Sequence, residues 1–264
     1  MKTNHNFLLD NSTNFNSQKT SFKLSIFAKK TTRFLLYTVA ILVILSTLSQ
    51  AATYLLPDFI LRDFIARKLS LFEEQSFPTL YSSITLFFCS VLFGMIAQYK
   101  SKLKDKYTFS WKSLSFIFIY LSLDELLSFH EHFTIIFRQL GFDGILHYAW
   151  VVPGLIGIGI FCIIFYRFFM HLPQYMKQLT LLAFSVFIGG AIVAEMMGGY
   201  YKYLYGKENL GYFLIATIEE SMEMLGIIIL IHALLTYLER IGLDTINIQL
   251  NVSQSYSKTH KSKS

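Results

Sequence analysis

The stretch that decides the fold is residues 211–237, GYFLIATIEESMEMLGIIILIHALLTY. It is long enough to cross the hydrocarbon core of a bilayer, which takes about 20 predominantly apolar residues as a helix. It contains no Lys or Arg, yet Glu219, Glu220 and Glu223 lie inside it. A membrane helix with three acids predicts a functional site rather than simple packing.

The composition of the whole chain predicts a membrane protein. Of the 264 residues, 53% are hydrophobic and 15% are charged, whereas a soluble domain has about 25% charged residues. The two cysteines lie in apolar segments and define neither a disulfide framework nor a zinc motif. The net charge of +6 reports topology in such a chain, so we expect no nucleic-acid partner.

Apolar windows predict six membrane-spanning helices in an all-α fold, a six-helix transmembrane bundle. The predicted spans are residues 34–56, 77–98, 114–133, 148–169, 179–199 and 211–237. A polar tail over 1–33 precedes the membrane domain, which covers 34–240. A Ser/Lys-rich tail over 241–264 follows it and is expected to be disordered.

The distribution of Lys and Arg predicts the orientation of the bundle. Most of the 23 basic residues lie in the two tails, between the second and third spans, and between the fourth and fifth. Because basic residues accumulate on the cytoplasmic side, both termini are predicted to be cytoplasmic. The expected location is a bacterial inner (plasma) membrane, with membrane lipid as the partner.

Seven acids lie at membrane depth, and no basic residue within their segments neutralises them. The segments are LSLDELLSFHEHF at 121–133, AIVAEMMGG at 191–199 and ATIEESMEMLG at 216–226. A charge at the bilayer centre costs about 2.5–3.5 kcal/mol, so these carboxyl groups should be protonated, hydrated or bound to cations. The predicted topology puts all three segments from mid-membrane outward, which favours a single site.

Helical geometry sorts the side chains of residues 121–133. At about 100° per residue, one arc is shared by Asp124, Glu125, Ser128, Glu131 and His132. His130 falls on the other side, so it is predicted to matter less than His132. On the sixth span the acids are three or four residues apart and can line one groove.

The sharpest functional prediction is an intramembrane metal site. Carboxylates and imidazoles from three helices are the ligand types of carboxylate-bridged metal centres, and they suit Fe, Mn or Zn. The paired Glu-x-x-His signature of soluble di-iron proteins is absent from the sequence. The predicted metal ligands are Asp124, Glu125, His132, Glu195, Glu219 and Glu223. The predicted catalytic residues are Glu131 and Glu220, for hydrolysis or oxidation of a lipid-like substrate.

Two other interpretations stay open. The acids can be hydrogen-bonded carboxylic acids that face neighbouring helices in a protein with a structural or interaction role. Alternatively, acids and histidines relay protons in transporters, which predicts a proton-coupled small-solute transporter. His147 can reach the site from the outer interface, whereas His232 lies nearer the cytoplasmic side and is expected to be packed.

Two acidic patterns in these spans resemble a signature of uncharacterised bacterial multipass proteins. They are Asp-Glu-x4-His-Glu in LSLDELLSFHEHF and Glu-Glu-x2-Glu in EESMEMLG. The resemblance covers the third to sixth spans. It implies a multipass fold and adds no chemistry, because no activity is established for that group.

Overall fold

A computed structural model of the protein describes residues 17–25, 27–55, 57, 61–130, 134, 144–207, 209–243 and 245–253. Seven helices are seen among these residues. They are α1 (Ala28–Leu55), α2 (Arg62–Leu69), α3 (Phe77–Lys102), α4 (Thr108–Leu127), α5 (Val151–His171), α6 (Gln174–Tyr205) and α7 (Leu210–Arg240). A short 3-10 turn, Gly144–Leu146, lies before α5.

Five of these helices, namely α1, α3, α5, α6 and α7, are long and apolar enough to cross a membrane. The remaining long helix, α4, has Lys112 near its start and Asp124 and Glu125 near its end, so every 18-residue stretch of it contains three charged side chains. The prediction of a helical fold with several helices of membrane-spanning length is therefore confirmed. The count of six spans and the cytoplasmic termini stay predictions.

Several helices differ in extent from the predicted spans. Helix α1 begins at Ala28 rather than at residue 34, and α6 covers Gln174–Tyr205 rather than 179–199. Hydropathy marks only the apolar part of a helix, whereas the backbone hydrogen bonds continue into the polar ends. Helix α4 ends at Leu127, six residues before the predicted end of the third span.

Helix α7 lies at the centre of the bundle and packs against α1, α3 and α6. Its fully buried side chains are Met224, Ile228, Ile231, Leu234 and Leu235. Gly226 allows the closest approach to α6. A Cβ atom added there would lie 2.8 Å from the backbone nitrogen of Phe187 and 2.9 Å from the carbonyl oxygen of Ala183. The two helix backbones are therefore in contact at Gly226.

The outside of the bundle is apolar. Ile163 of α5 is 80% exposed and Phe116 of α4 is 70% exposed. Exposed apolar surface of this extent is unusual for a soluble monomer, because it is unfavourable in water. It suits helices that face lipid chains.

Two pairs of serines join α3 to α4. The hydroxyl oxygens of Ser83 and Ser122 lie 3.1 Å apart, and those of Ser90 and Ser115 lie 3.3 Å apart. The pairs are seven residues apart on each helix, so the helices run antiparallel and the same faces meet twice. Such hydroxyl contacts hold membrane helices together where the hydrophobic effect between them is absent.

The start of α1 lies beside the end of α7. The backbone N–H of Ala28 donates a hydrogen bond to Glu239 Oε1 at 2.7 Å. One turn further along, Thr32 Oγ1 lies 2.9 Å from His232 Nδ1. His232 is therefore a hydrogen-bonded residue of the α1–α7 contact, as expected for a packed histidine.

The tails beyond these helices form a two-stranded antiparallel ribbon, β1 (Ser17–Ser25) with β2 (Thr245–Ser253). The sequence analysis expected disorder from residue 241. The sequence of β2 alternates between apolar and polar residues, as is typical of a strand. The apolar positions are Ile246, Ile248, Leu250 and Val252. It pairs the segment before α1 with the segment after α7.

We expect Gly226→Ala to lower the melting temperature of the purified protein in detergent. Alanine favours a helix by about 1 kcal/mol over glycine, but here its Cβ atom would meet the backbone of α6. Gly159→Ala is the matched control, since nothing lies within 4 Å of a Cβ atom there. Equal melting temperatures for the two variants would contradict the close approach of α6 and α7.

Candidate functional site: an acid-lined cavity

A cavity of about 840 Å³ lies inside the bundle. Helices α3 to α7 line it, together with the loop before α3 and the segment before α5. Along α4 it extends from Trp111 to Glu125, a helical rise of roughly 20 Å. Its two ends differ completely in chemistry.

The end near Trp111 is apolar. Aromatic and aliphatic side chains line this part, among them Phe93, Trp111, Phe165, Phe168 and Leu230. The Trp111 ring stacks on Tyr237 with 5.6 Å between ring centroids and meets the edge of Phe168 at 4.8 Å. These buried rings close this end of the cavity.

The opposite end is acidic. It contains six of the residues that the sequence analysis singled out: Asp124, Glu125, Glu195, Glu219, Glu220 and Glu223. The other two, Glu131 and His132, lie outside the described residues. Acids of three helices thus line one cavity, while the metal-binding and catalytic roles predicted for them stay predictions.

A π-helical turn over Gly189–Ala194 positions Glu195 within α6. Such turns insert an extra residue into a helix and are frequent at functional sites. Gly190, inside the turn, lies against the acidic stretch of α7. A Cβ atom there would be 2.8 Å from the carbonyl oxygen of Glu219 and 3.0 Å from Cγ of Glu223. The turn therefore brings the acids of α6 and α7 together.

The carboxyl groups of Glu219 and Glu195 lie close enough to interact. Two neighbouring carboxylates repel each other, so the pair favours a state in which one of them carries a proton or a cation lies between them. Other pairs of acids in the cluster also lie close enough to interact electrostatically, such as Glu220 with Glu223 and Glu223 with Glu125. The cluster therefore requires protons or cations, as the sequence analysis expected on energetic grounds.

The end of α4 brings His130 into the cavity. Ser128 has a left-handed backbone with φ 52°, which stops the helix. The Asp124 carboxylate then accepts the backbone N–H of His130 at 3.1 Å and lies 3.2 Å from its ring Nδ1. The sequence analysis expected His130 on the opposite side of a helix that continued. The helical rule does not hold beyond Leu127, so that expectation fails here.

Aromatic residues line one side of the acidic end. The indole N–H of Trp150 donates to Glu195 Oε1 at 3.3 Å, and its ring lies 5.2 Å from that of His130. The hydroxyl oxygens of Tyr148 and Tyr212 are 2.8 Å apart. These contacts fix the orientation of the aromatic rings beside the acids.

Sequence reasoning missed several residues of the cavity, namely Glu73, Glu74, His130, Tyr148, Trp150 and Tyr212. The pair Glu73–Glu74 comes directly before Ser76, the residue that caps the start of α3, and this position was the available signal. His147 contacts the rings of Tyr148 and Tyr203 and is not among the described lining residues. It lies behind the cavity wall.

The described residues show no group of three or more His, Cys, Asp or Glu side chains arranged to hold a metal ion. Carboxylate oxygens and one imidazole are the right donor types for Fe, Mn or Zn. Their arrangement in the described part of the chain gives no support to a metal centre.

Long apolar helices around a buried acidic cluster are the features of a multipass membrane protein with an internal polar site. The chain belongs to the family described as Domain of unknown function (DUF8692), whose model matches residues 34–238. This confirms the resemblance to an uncharacterised family, while the acidic signature and the bacterial origin stay predictions. No curated protein and no solved structure matches the chain.

Proposed function

We propose that the protein is an integral membrane enzyme that takes a lipid-like molecule into the cavity and hydrolyses a bond near its polar head. One observation carries this proposal: the acidic cluster and the apolar part belong to one continuous cavity. A hydrocarbon chain fits the apolar part, and a polar head then lies among the acids. A small polar solute would make no favourable contacts with the apolar part of the cavity.

The arrangement of the helices supports a six-span topology. Because the start of α1 contacts the end of α7, an even number of crossings joins them. The five apolar helices and α4 together give six. With the basic residues on the side of the tails, the acidic cluster lies in the outer half of the membrane.

The acid–base chemistry of hydrolysis is available in the described residues. Asp124 holds His130 through Nδ1, which leaves Nε2 to accept a proton from an attacking water molecule. The oxygen of that water bonds to the electrophilic atom of the substrate. A proton held by the neighbouring carboxyl groups of Glu195 and Glu219 passes to the leaving group as its bond breaks.

A proton-coupled transporter is the second candidate. The neighbouring carboxyl groups of Glu195 and Glu219 favour it, because mutual repulsion of two carboxylates favours uptake of an exchangeable proton. The apolar end of the cavity argues against a transporter, because the buried rings of Trp111, Phe168 and Tyr237 close the cavity there. A transported polar solute would need a path through that end.

A divalent metal, Fe, Mn or Zn, is a separate proposal that rests on the chemistry of the donors. It would be held by Asp124, Glu125, His132, Glu195, Glu219 and Glu223, and would activate water as a Lewis acid. Elemental analysis of the protein purified in detergent tests it. We expect near-stoichiometric metal in the unaltered chain and less in Glu219→Gln and Glu223→Gln. Metal-free protein with hydrolytic activity would remove the metal from the proposal.

Binding of a hydrocarbon chain is tested with the tryptophans, since the chain has only two and both line the cavity. In a Trp150→Phe variant, a lipid with a brominated chain should quench the fluorescence of Trp111, which is 2% exposed. Gly157→Phe in the same background should prevent quenching, because Gly157 lines the cavity between the two tryptophan positions.

Gly159→Phe is the matched control for that experiment. Gly157 and Gly159 both have open space around a Cβ atom, but Gly159 does not line the cavity. Quenching that is equal in the Gly157→Phe and Gly159→Phe variants would mean that the bromine reaches Trp111 from outside the cavity. That result would contradict binding of a lipid chain inside the cavity.

The reaction is tested in water labelled with heavy oxygen, with a total lipid extract as substrate and mass spectrometry as the readout. Hydrolysis transfers the label from water to a product, whereas oxidation takes its oxygen from O₂. We expect His130→Ala to lower labelled product by about a hundredfold or more, as loss of a general base does. His232→Ala should leave it unchanged, since His232 lies in the α1–α7 contact. Absence of labelled product, with pH-dependent solute uptake in liposomes, would favour the transporter.

A further inference from the structure

We infer that the lipid-like molecule in the cavity has a positively charged ammonium head. The inference rests on the proposed function, because it assumes that a hydrocarbon chain occupies the apolar part. It adds the chemical class of the head group, which decides what the acidic end recognises.

The charge of the acidic end is the first reason. Eight acids line the cavity: Glu73, Glu74, Asp124, Glu125, Glu195, Glu219, Glu220 and Glu223. No Lys or Arg is among the lining residues that the structure describes, and His130 is already paired with Asp124. Even one divalent cation would leave more acids than positive charges. A phosphate head would add negative charge to this cluster, whereas an ammonium head offsets it.

The hydrogen-bonding groups of the acidic end give the second reason. An ionised carboxylate only accepts hydrogen bonds. The N–H group of Trp150 donates to Glu195, the hydroxyl groups of Tyr148 and Tyr212 bond to each other, and Lys202 Nζ donates to the Tyr148 hydroxyl. Eight carboxyl groups line the cavity beside these few donors. Acceptors therefore outnumber donors here. A head group that donates hydrogen bonds fits this end, while one that mainly accepts them does not.

The aromatic side of the acidic end gives an independent reason. Ammonium groups bind over the faces of Trp and Tyr rings. The structure places an ammonium group beside these rings. Lys202 Nζ donates a hydrogen bond to the Tyr148 hydroxyl at 3.0 Å and lies 4.8 Å from the ring centroid of Tyr148 and 6.0 Å from that of Tyr212. The two tyrosines, together with Trp150, also line the cavity. Aromatic faces and carboxylates thus border the same space, as they do in sites that recognise ammonium ligands.

Three probes with the same chain test the inference: mid-chain dibrominated stearyl amine, stearyl alcohol and stearyl phosphate. Each is titrated into the full chain in uncharged maltoside micelles, with both tryptophans kept because Trp150 belongs to the acidic end. The readout is quenching of tryptophan fluorescence. We expect the amine to half-saturate at an about tenfold lower concentration than the alcohol, and the phosphate to bind most weakly.

The double variant Glu220→Gln/Glu223→Gln should remove most of the preference for the amine over the alcohol. Glu239→Gln is the matched control, because Glu239 accepts the N–H of Ala28 and does not line the cavity. The melting temperature of each variant shows whether it is folded, and the comparison of the three probes on the unaltered chain does not depend on either variant.

The outcomes separate this inference from the proposed function. Equal half-saturation by the amine and the alcohol, or tighter binding of the phosphate, overturns the ammonium head while the chain site stands. Absence of quenching by all three probes contradicts the chain site itself, and the proposed function with it.

Discussion

Carboxyl groups inside a membrane bundle have to be kept out of lipid, and the architecture of this protein follows from that constraint. Helix α7 carries three glutamates in its first half, and acids of α4 and α6 line the same space. Helices that meet at acidic faces cannot close on each other as apolar helices do, because each carboxyl group needs room for a proton, water or a cation. The cavity is the result, and its apolar part continues along the same gap toward the other side of the bundle.

The rest of the fold compensates for the open centre with very close contacts elsewhere. Gly226 lets α7 touch the backbone of α6, and Gly190 does the same within the π-helical turn. Two pairs of serines join α3 to α4. These features draw on backbone proximity and on hydroxyl groups, which are the interactions that remain effective between helices in lipid. The cavity is thus bordered by two closely packed pairs of helices, α3 with α4 and α6 with α7.

Much of this arrangement could be predicted from the sequence. Apolar windows located the long helices to within about six residues, and depth along the spans correctly grouped the acids of α4, α6 and α7 at one end. The failures share a cause. Each missed feature depends on contacts that the regular periodicity of a single helix does not reveal. The end of α4 is set by Asp124 binding the backbone and ring of His130. The π-helical turn shifts the facing of Glu195, and no regular periodicity reveals it. The glutamates before α3 join the cluster only because their loop folds over the cavity.

The central position of α7 also bears on how the protein is made. Helices enter the membrane in the order of synthesis, so α1, α3, α4, α5 and α6 are present before the helix that most of them pack against. Until α7 arrives, the acidic face of α6 lacks its partner, and Ala28 of α1 lacks the carboxylate of Glu239. The cavity therefore cannot exist in any nascent chain that lacks its last helix. The site and the bundle are therefore completed in the same late step, when α7 inserts between helices that are already in place.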